Sequence, residues 1–425
     1  MRNWIFFWMV LVSGGLLGQS LSTRKIKRQL AKIEAFQQAH VALQVIPLGG
    51  DKPVAHQQSD RYMTPASNIK LLTFLAAQQA FDRLPALFYR KKGDSIIQFK
   101  SSGYPLLFHP FYADSSLTAF FKQKATWEYV APSTAPQPFG SGWSWDDYSY
   151  YYAAPKSTFP IYGNSLQVTY NGDTFKSIPN LGTLQQTTDT LAPKLQRDPF
   201  RTRFTLNPLH WNANDTLYRP FIPSDSLFVV LLSKAIQKPI SLQMSPTDNL
   251  PWEPLYTNAE ETLYKGLLQD SDNGIAEALL LMIAQKTKGQ FQTQQAIDTL
   301  LTQWNKWLPD KVEWVDGSGV SRYNMVTPRT LVEVLQRIHQ KVGWEQIVRL
   351  FPQGGVSGTL KGYEVPHLYA KTGSLRHNHN LSGYFRSKKG KIYVFSIMVN
   401  HFTAPTAEVK KGISQILLWL QHKLK

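Results

Sequence analysis

Apolar positions along the chain fall into three regimes. Near the start, Ile26, Leu30, Ile33 and Phe36 recur at steps of three and four, which predicts a helix over 25–40. Residues 41–48 then read as a strand, Gly49-Gly50-Asp51 as a turn, and 53–56 as a returning partner. Leu71, Leu72, Phe74 and Leu75 predict a second helix over 70–81. From about 82 to 249 helical periodicity fades while proline, glycine, serine and aromatic residues become denser. Strand-like runs appear there at 96–99, 167–170 and 227–232, with a proline-rich loop over 131–138. Helical patterning resumes near Ala259 and continues through 276–285, 294–307 and 328–341. Strands follow at 367–371, 379–386 and 392–400, and the polar turn 387–390 makes the last two antiparallel. The closing helix, 407–424, gathers Val409, Ile413, Ile416, Leu417 and Leu420 on one side, which packs on the sheet or lies on a membrane. No internal repeats occur.

The first residues carry a separate signal. Arg2, an apolar run over 5–12, and small residues at Gly18 and Ser20 read as a secretory signal peptide over 1–20. The run falls short of the roughly 20 residues of a membrane span. An uncleaved anchor is the alternative. The chain is therefore expected to be exported, to a periplasm or cell envelope, with at most peripheral membrane contact.

Composition narrows the chemistry. With no cysteine among 425 residues, disulfides, a thiolate nucleophile, iron–sulfur clusters and Cys-ligated zinc are excluded. Lys plus Arg is 46 against 29 Asp plus Glu, a net charge of +17. That excess serves an anionic partner or is simply a solvated surface. The charges are scattered and no nucleic-acid motif accompanies them, so no nucleic-acid partner is expected. His377 and His379 lie two apart in an expected loop and read as solvated turn residues, not metal ligands.

Three short motifs carry candidate chemistry. Ser67-Asn68-Ile69-Lys70 opens an apolar helix, where residues three apart share a face. Lys70 can then act as base for the Ser67 hydroxyl, provided burial or a nearby cation keeps its amine neutral. Backbone N–H groups at that helix start suit a developing oxyanion. The competing reading of Ser67 is a helix N-cap. Ser271-Asp272-Asn273 precedes the next apolar helix. Ser271 can pass a proton between a base and a leaving amine, and the Asn273 amide can hold a substrate peptide bond; a cap again competes. Lys371-Thr372-Gly373-Ser374 ends an expected strand. Lys371 brings charge to a substrate carboxylate and keeps Lys70 neutral, Thr372 bonds the same carboxylate, Gly373 allows close backbone approach, and Ser374 N–H is a second oxyanion donor.

In this order, and each in suitable local structure, the three form the signature of penicillin-binding proteins and serine β-lactamases. The segments TPASNIKLLT, SDNGIAEALL, DGSGVSRYNMVTP and AKTGSL resemble peptidase family S13, the D-Ala-D-Ala carboxypeptidase/endopeptidases of the penicillin-binding protein 4 (DacB) type. GWSWDDYSYYYAAP resembles that family's inserted region, as does the long interval from Ser67 to Ser271.

The resemblance implies an α+β fold of the β-lactamase/transpeptidase type, an antiparallel sheet flanked by helices with a helical lobe. It places the catalytic domain at 21–81 and 250–425, around a strand-rich insertion over 82–249. It implies Ser67 as the acylated nucleophile, Lys70 as its base, Ser271 and Asn273 as relay and amide contact, and Lys371 and Thr372 as the site of a terminal D-Ala carboxylate. Ser67 and Ser374 N–H would form the oxyanion hole. Asp316-Gly317-Ser318-Gly319 is expected as a turn, beside the site or out of contact with substrate. Trp143, Asp146 and Tyr151 are expected to form a pocket for the ammonium of a diamino-acid side chain, or else to be aromatic packing between domains. No metal or organic cofactor is implied. Expected partners are peptidoglycan stem peptides, with β-lactams as covalent inhibitors. A β-lactamase or esterase of the same fold would instead turn over a cephalosporin quickly. A non-catalytic wall-binding protein would release no D-Ala.

Overall fold

The structure, a computed structural model, describes residues 20–245 and 250–425. All but the last residue of the expected signal peptide lies outside the described residues.

A five-stranded antiparallel sheet organises the fold, in the order Leu368–Leu375, Asn378–Arg386, Ile392–Asn400, His40–Pro47 and Ala55–Gln57. Strands from the two ends of the chain meet at its centre, where His40 pairs with Asn400 and Leu43 with Ile397. Both faces are covered, so the strands read as continuous apolar runs instead of alternating. Leu43, Val45, Phe395, Ile397 and Val399 point toward the helices Thr23–Leu30 and Thr406–Lys423. Ala42, Ile46, Val394 and Met398 point the other way, toward the core containing Lys70–Ala80 and Pro328–Leu350. Val409, Ile413, Ile416, Leu417 and Leu420 of the last helix are all buried, so its apolar side packs within the fold.

Helix Asn273–Lys288 is buried at every position from Ile275 to Ala284, as expected of a helix apolar on all sides. It packs against Lys70–Ala80. Between positions 85 and 256 lie a mixed five-stranded sheet and two three-stranded sheets. The five-stranded sheet takes its edge strand from Glu253–Tyr256, beyond position 249.

Several local expectations are corrected. The first helix ends at Leu30, because Ile33 is extended; only a 3-10 turn, Glu34–Phe36, follows. The detour seats Ile33 and Phe36 against Gly412, where a Cβ would stand 2.6 Å from Ile33 Cγ2. The run at 227–232 is helical, inside Asp225–Ile236, capped by Ser224 Oγ, which accepts from Leu227 N (3.2 Å). A short unbroken apolar run does not distinguish strand from buried helix. The helix expected over 328–341 extends to Leu350, with non-helical backbone at Gly343. Lys-Thr-Gly lies within the strand Leu368–Leu375, not at its end. Among the described residues, no helix is long and apolar enough to cross a membrane and no cluster suits a metal ion.

Candidate active site

Ser67 lies in a 3-10 turn, Ala66–Ile69, that leads directly into the helix Lys70–Ala80. Its hydroxyl lies against Lys70 Nζ and Ser318 O, so it is not committed to the helix end. The turn is held by its surroundings. Asn380 Nδ2 donates to Thr64 O (2.9 Å) and Pro65 O (3.0 Å), Asn68 Nδ2 to Ser382 Oγ (2.7 Å), and Thr64 N to Asn400 Oδ1 (2.7 Å). These polar sheet residues tie the turn to the strands.

Lys70 is fully buried, and three oxygens surround its Nζ. It stands 2.6 Å from Asn273 Oδ1, 2.6 Å from Ser318 O and 2.9 Å from Ser67 Oγ. Asn273 Nδ2 donates to Tyr152 O (2.7 Å), which fixes the orientation of its amide and turns Oδ1 toward Lys70. Both 2.6 Å partners are carbonyl oxygens, able only to accept. A neutral Lys70 directs its two N–H bonds at them, leaving its lone pair toward Ser67. Burial lowers the Lys70 pKa to about 8, against the opposing pull of Asp316, Asp272 and Glu277. Burial, not the Lys371 charge, therefore does most to keep this amine neutral.

Lys371, also fully buried, donates to Ser271 Oγ (2.8 Å) and Thr372 O (2.8 Å). Burial, and then Lys70, push its pKa well below the ordinary lysine value. Ser271, with a positive φ of 62°, is thus tied to Lys371. Thr372 Oγ1 donates to Thr359 Oγ1 (2.8 Å). The close approach Gly373 allows is made by the protein's own backbone: a Cβ there would stand 2.2 Å from Pro65 O.

The Asp316–Gly319 turn lies directly under the nucleophile. Ser318 O accepts from Lys70 and stands 3.3 Å from Ser67 Oγ, while Ser318 N and Oγ donate to Glu277 Oε1 (2.8 and 2.6 Å). Burial raises the Glu277 pKa.

Trp143 and Tyr151 line a cavity that adjoins this cluster through Asn273; Ser67 and Lys371 are not part of its wall. Trp143 Nε1 donates to Asp316 Oδ2 (2.8 Å). Asp146 is not brought into the cavity. It sits on the exposed turn Trp145–Ser149, and the carboxylates in the wall are Asp272 and Glu277. The reading of His379 as a solvated turn residue is also corrected. It is fully buried on the strand Asn378–Arg386, bonded to Ser374 Oγ (2.7 Å) and Tyr363 OH (2.5 Å), whereas His377 is exposed. The sequence gives no role to Asn68, Asn380, Ser382 or Glu277, and Ser318 enters it only as part of the expected Asp316–Gly319 turn. Polar residues at alternate positions of an otherwise apolar strand, as at Asn380 and Ser382, were the available signal.

Comparison with known proteins agrees with this architecture. D-alanyl-D-alanine carboxypeptidase DacB of Haemophilus influenzae is 31% identical over 159 residues, 35% of this chain and 33% of that protein. Penicillin-sensitive carboxypeptidase A of Dictyostelium discoideum is 32% identical over 119 residues, 25% of this chain and 23% of that protein. These matches span a third or less of the curated relatives' length. The crystal structure of penicillin binding protein 4 (dacB) from Haemophilus influenzae superposes with a TM-score of 0.69 at 20% identity, covering 94% of this chain and 99% of that one. Bd3459, a predatory peptidoglycan endopeptidase from Bdellovibrio bacteriovorus, gives 0.50 at 16% identity over 89% and 93%. They show the β-lactamase/transpeptidase-like α+β fold. The family model for D-Ala-D-Ala carboxypeptidase 3 (S13) matches residues 22–86 and 259–423, together more than half of the sequence, and the chain belongs to that family.

Proposed function

We propose that this protein is a serine-type D-Ala-D-Ala carboxypeptidase and DD-endopeptidase that works on peptidoglycan stem peptides and is acylated by β-lactams. The observation carrying this reading is the fully buried Lys70, with two carbonyl acceptors on its N–H bonds and its remaining direction toward Ser67 Oγ. Lys70 takes the Ser67 proton as Oγ attacks the carbonyl carbon of the penultimate D-Ala. The tetrahedral oxyanion sits against Ser67 N–H and Ser374 N–H. The C–N bond then breaks, and the leaving amine collects a proton relayed through Ser271, which Lys371 holds. Terminal D-Ala departs in the carboxypeptidase reaction, and the cross-linked amine departs in the endopeptidase reaction. Water, deprotonated by Lys70, hydrolyses the resulting ester.

The substrate carboxylate is assigned to Lys371 and Thr372. Residues 82–256 are assigned to an insertion of two subdomains, extended past 249 because Glu253–Tyr256 pairs with Pro85–Lys92, in a catalytic domain built from 21–81 and 257–425. Export to the cell envelope rests on the leader pattern of the sequence and on the substrate class. Intact-mass analysis after penicillin treatment tests the nucleophile: wild type gains one covalent equivalent and Ser67→Ala gains none. An adduct on the variant would remove Ser67 from the mechanism.

A further inference from the structure

Beside the substrate-facing strand runs a buried chain of three side chains. Ser374 Oγ lies 2.7 Å from His379 Nδ1, and His379 Nε2 lies 2.5 Å from Tyr363 OH. Tyr363 and His379 are fully buried, their rings nearly parallel with centres 6.2 Å apart, while Ser374 is exposed. The direction of every proton in this chain follows from Tyr363.

Its hydroxyl has His379 Nε2 as its one side-chain or backbone partner among the described residues. Burial holds it protonated, well above its ordinary pKa. A buried O–H with no acceptor is costly, so Tyr363 must donate to Nε2. Burial, Lys410 and Lys371 lower the His379 pKa to about 3, so the ring is neutral and carries one proton. With Nε2 accepting, that proton is on Nδ1 and is donated to Ser374 Oγ. One Ser374 lone pair is then filled from the inside, and its own O–H is free to point outward. The reverse arrangement would have Ser374 donate inward and would strand the Tyr363 proton. Ser374 shares a strand face with Thr372, and an anionic oxygen is the fitting acceptor for its outward O–H.

We propose that Tyr363 and His379 are positioning residues that make Ser374 Oγ an obligate hydrogen-bond donor to the carboxylate of the bound substrate, an inference resting on the peptidase reading above. Neither touches substrate; both act through Ser374.

The test compares acylation by benzylpenicillin, which carries a carboxylate, with acylation by its methyl ester, which does not. Tyr363→Phe removes one oxygen and keeps the ring, freeing His379 to change tautomer. Its apparent affinity for the acid should weaken by about three- to tenfold, with little change in the maximal acylation rate and none for the ester. In a Ser374→Ala background the same substitution should have no further effect. His379→Asn keeps a donor near the Nδ1 position and should stay close to wild type, whereas His379→Leu should match Ser374→Ala; this pair also serves if Tyr363→Phe does not fold. Equal losses on acid and ester, or a Tyr363→Phe effect that persists without the Ser374 hydroxyl, overturns the proposal. A wild-type protein that takes up no penicillin fails the peptidase reading itself, and the positioning role falls with it.

Discussion

At the scale of single residues, the site is governed by where protons sit. Lys70 must be neutral to accept the Ser67 proton, and burial brings its pKa to about 8. Below that pH the ammonium cannot act as a base; above it the free amine predominates. The acylation rate should therefore rise with pH, with a midpoint near 8, as measured by stopped-flow with a chromogenic β-lactam. Asp272 raises the Lys70 pKa, and its Oδ1 caps a helix by accepting from Ile275 N (2.9 Å). Asp272→Asn keeps an acceptor for the cap but removes the charge, so the midpoint should move to lower pH and acylation at neutral pH should speed up. A midpoint that stays in place would show that this carboxylate does not reach Lys70. Ser67, Lys70, Ser271, Asn273 and Lys371 were legible because their spacing carries chemistry. His379 was not: nothing in the tripeptide His377-Asn378-His379 tells which imidazole the strand will turn inward.

At the scale of elements, the nucleophile depends on glycines that let backbones touch. Gly319 has φ +80°, and a Cβ on it would stand 2.0 Å from Ala66 O and 2.9 Å from Ser67 N. Gly319→Ala should cost roughly 1–3 kcal/mol from backbone conformation alone. It should also displace Ser67, so that acylation falls at least about tenfold, a barrier change of about 1.4 kcal/mol. Urea unfolding and acylation kinetics measure the two effects, and wild-type values in both would contradict the contact. The helices from 259 onward and the final three strands were readable from periodicity. The run at 227–232 was not, since LFVVLL carries no period and only Ser224 as a helix cap separates the two outcomes. The expected role of Gly373 likewise changed, because the backbone it admits belongs to Pro65, a residue 308 positions earlier.

For the whole molecule, the central sheet joins the two ends of the chain, and its faces serve different ends. One face carries the site; the other is closed by the terminal helices, where Leu417 is fully buried among Val45, Phe395 and Ile413. Leu417→Ala should cost about 2–5 kcal/mol in denaturant unfolding. Acylation per folded molecule should not change, since the cavity opens away from Ser67. A fall in acylation rate at full folding would mean the two faces are coupled. By itself the sequence determined the three motifs, their order and most helices, because each rests on spacing within a few residues. Only the tertiary structure decided that Lys70 is dry enough to be a base, that Asp146 stands outside the cavity, and that Tyr363 reaches Ser374 through His379. Burial and direction are set by how separate segments pack, 16 residues apart for Tyr363 and His379 and 248 for Lys70 and Ser318, and no local pattern records them.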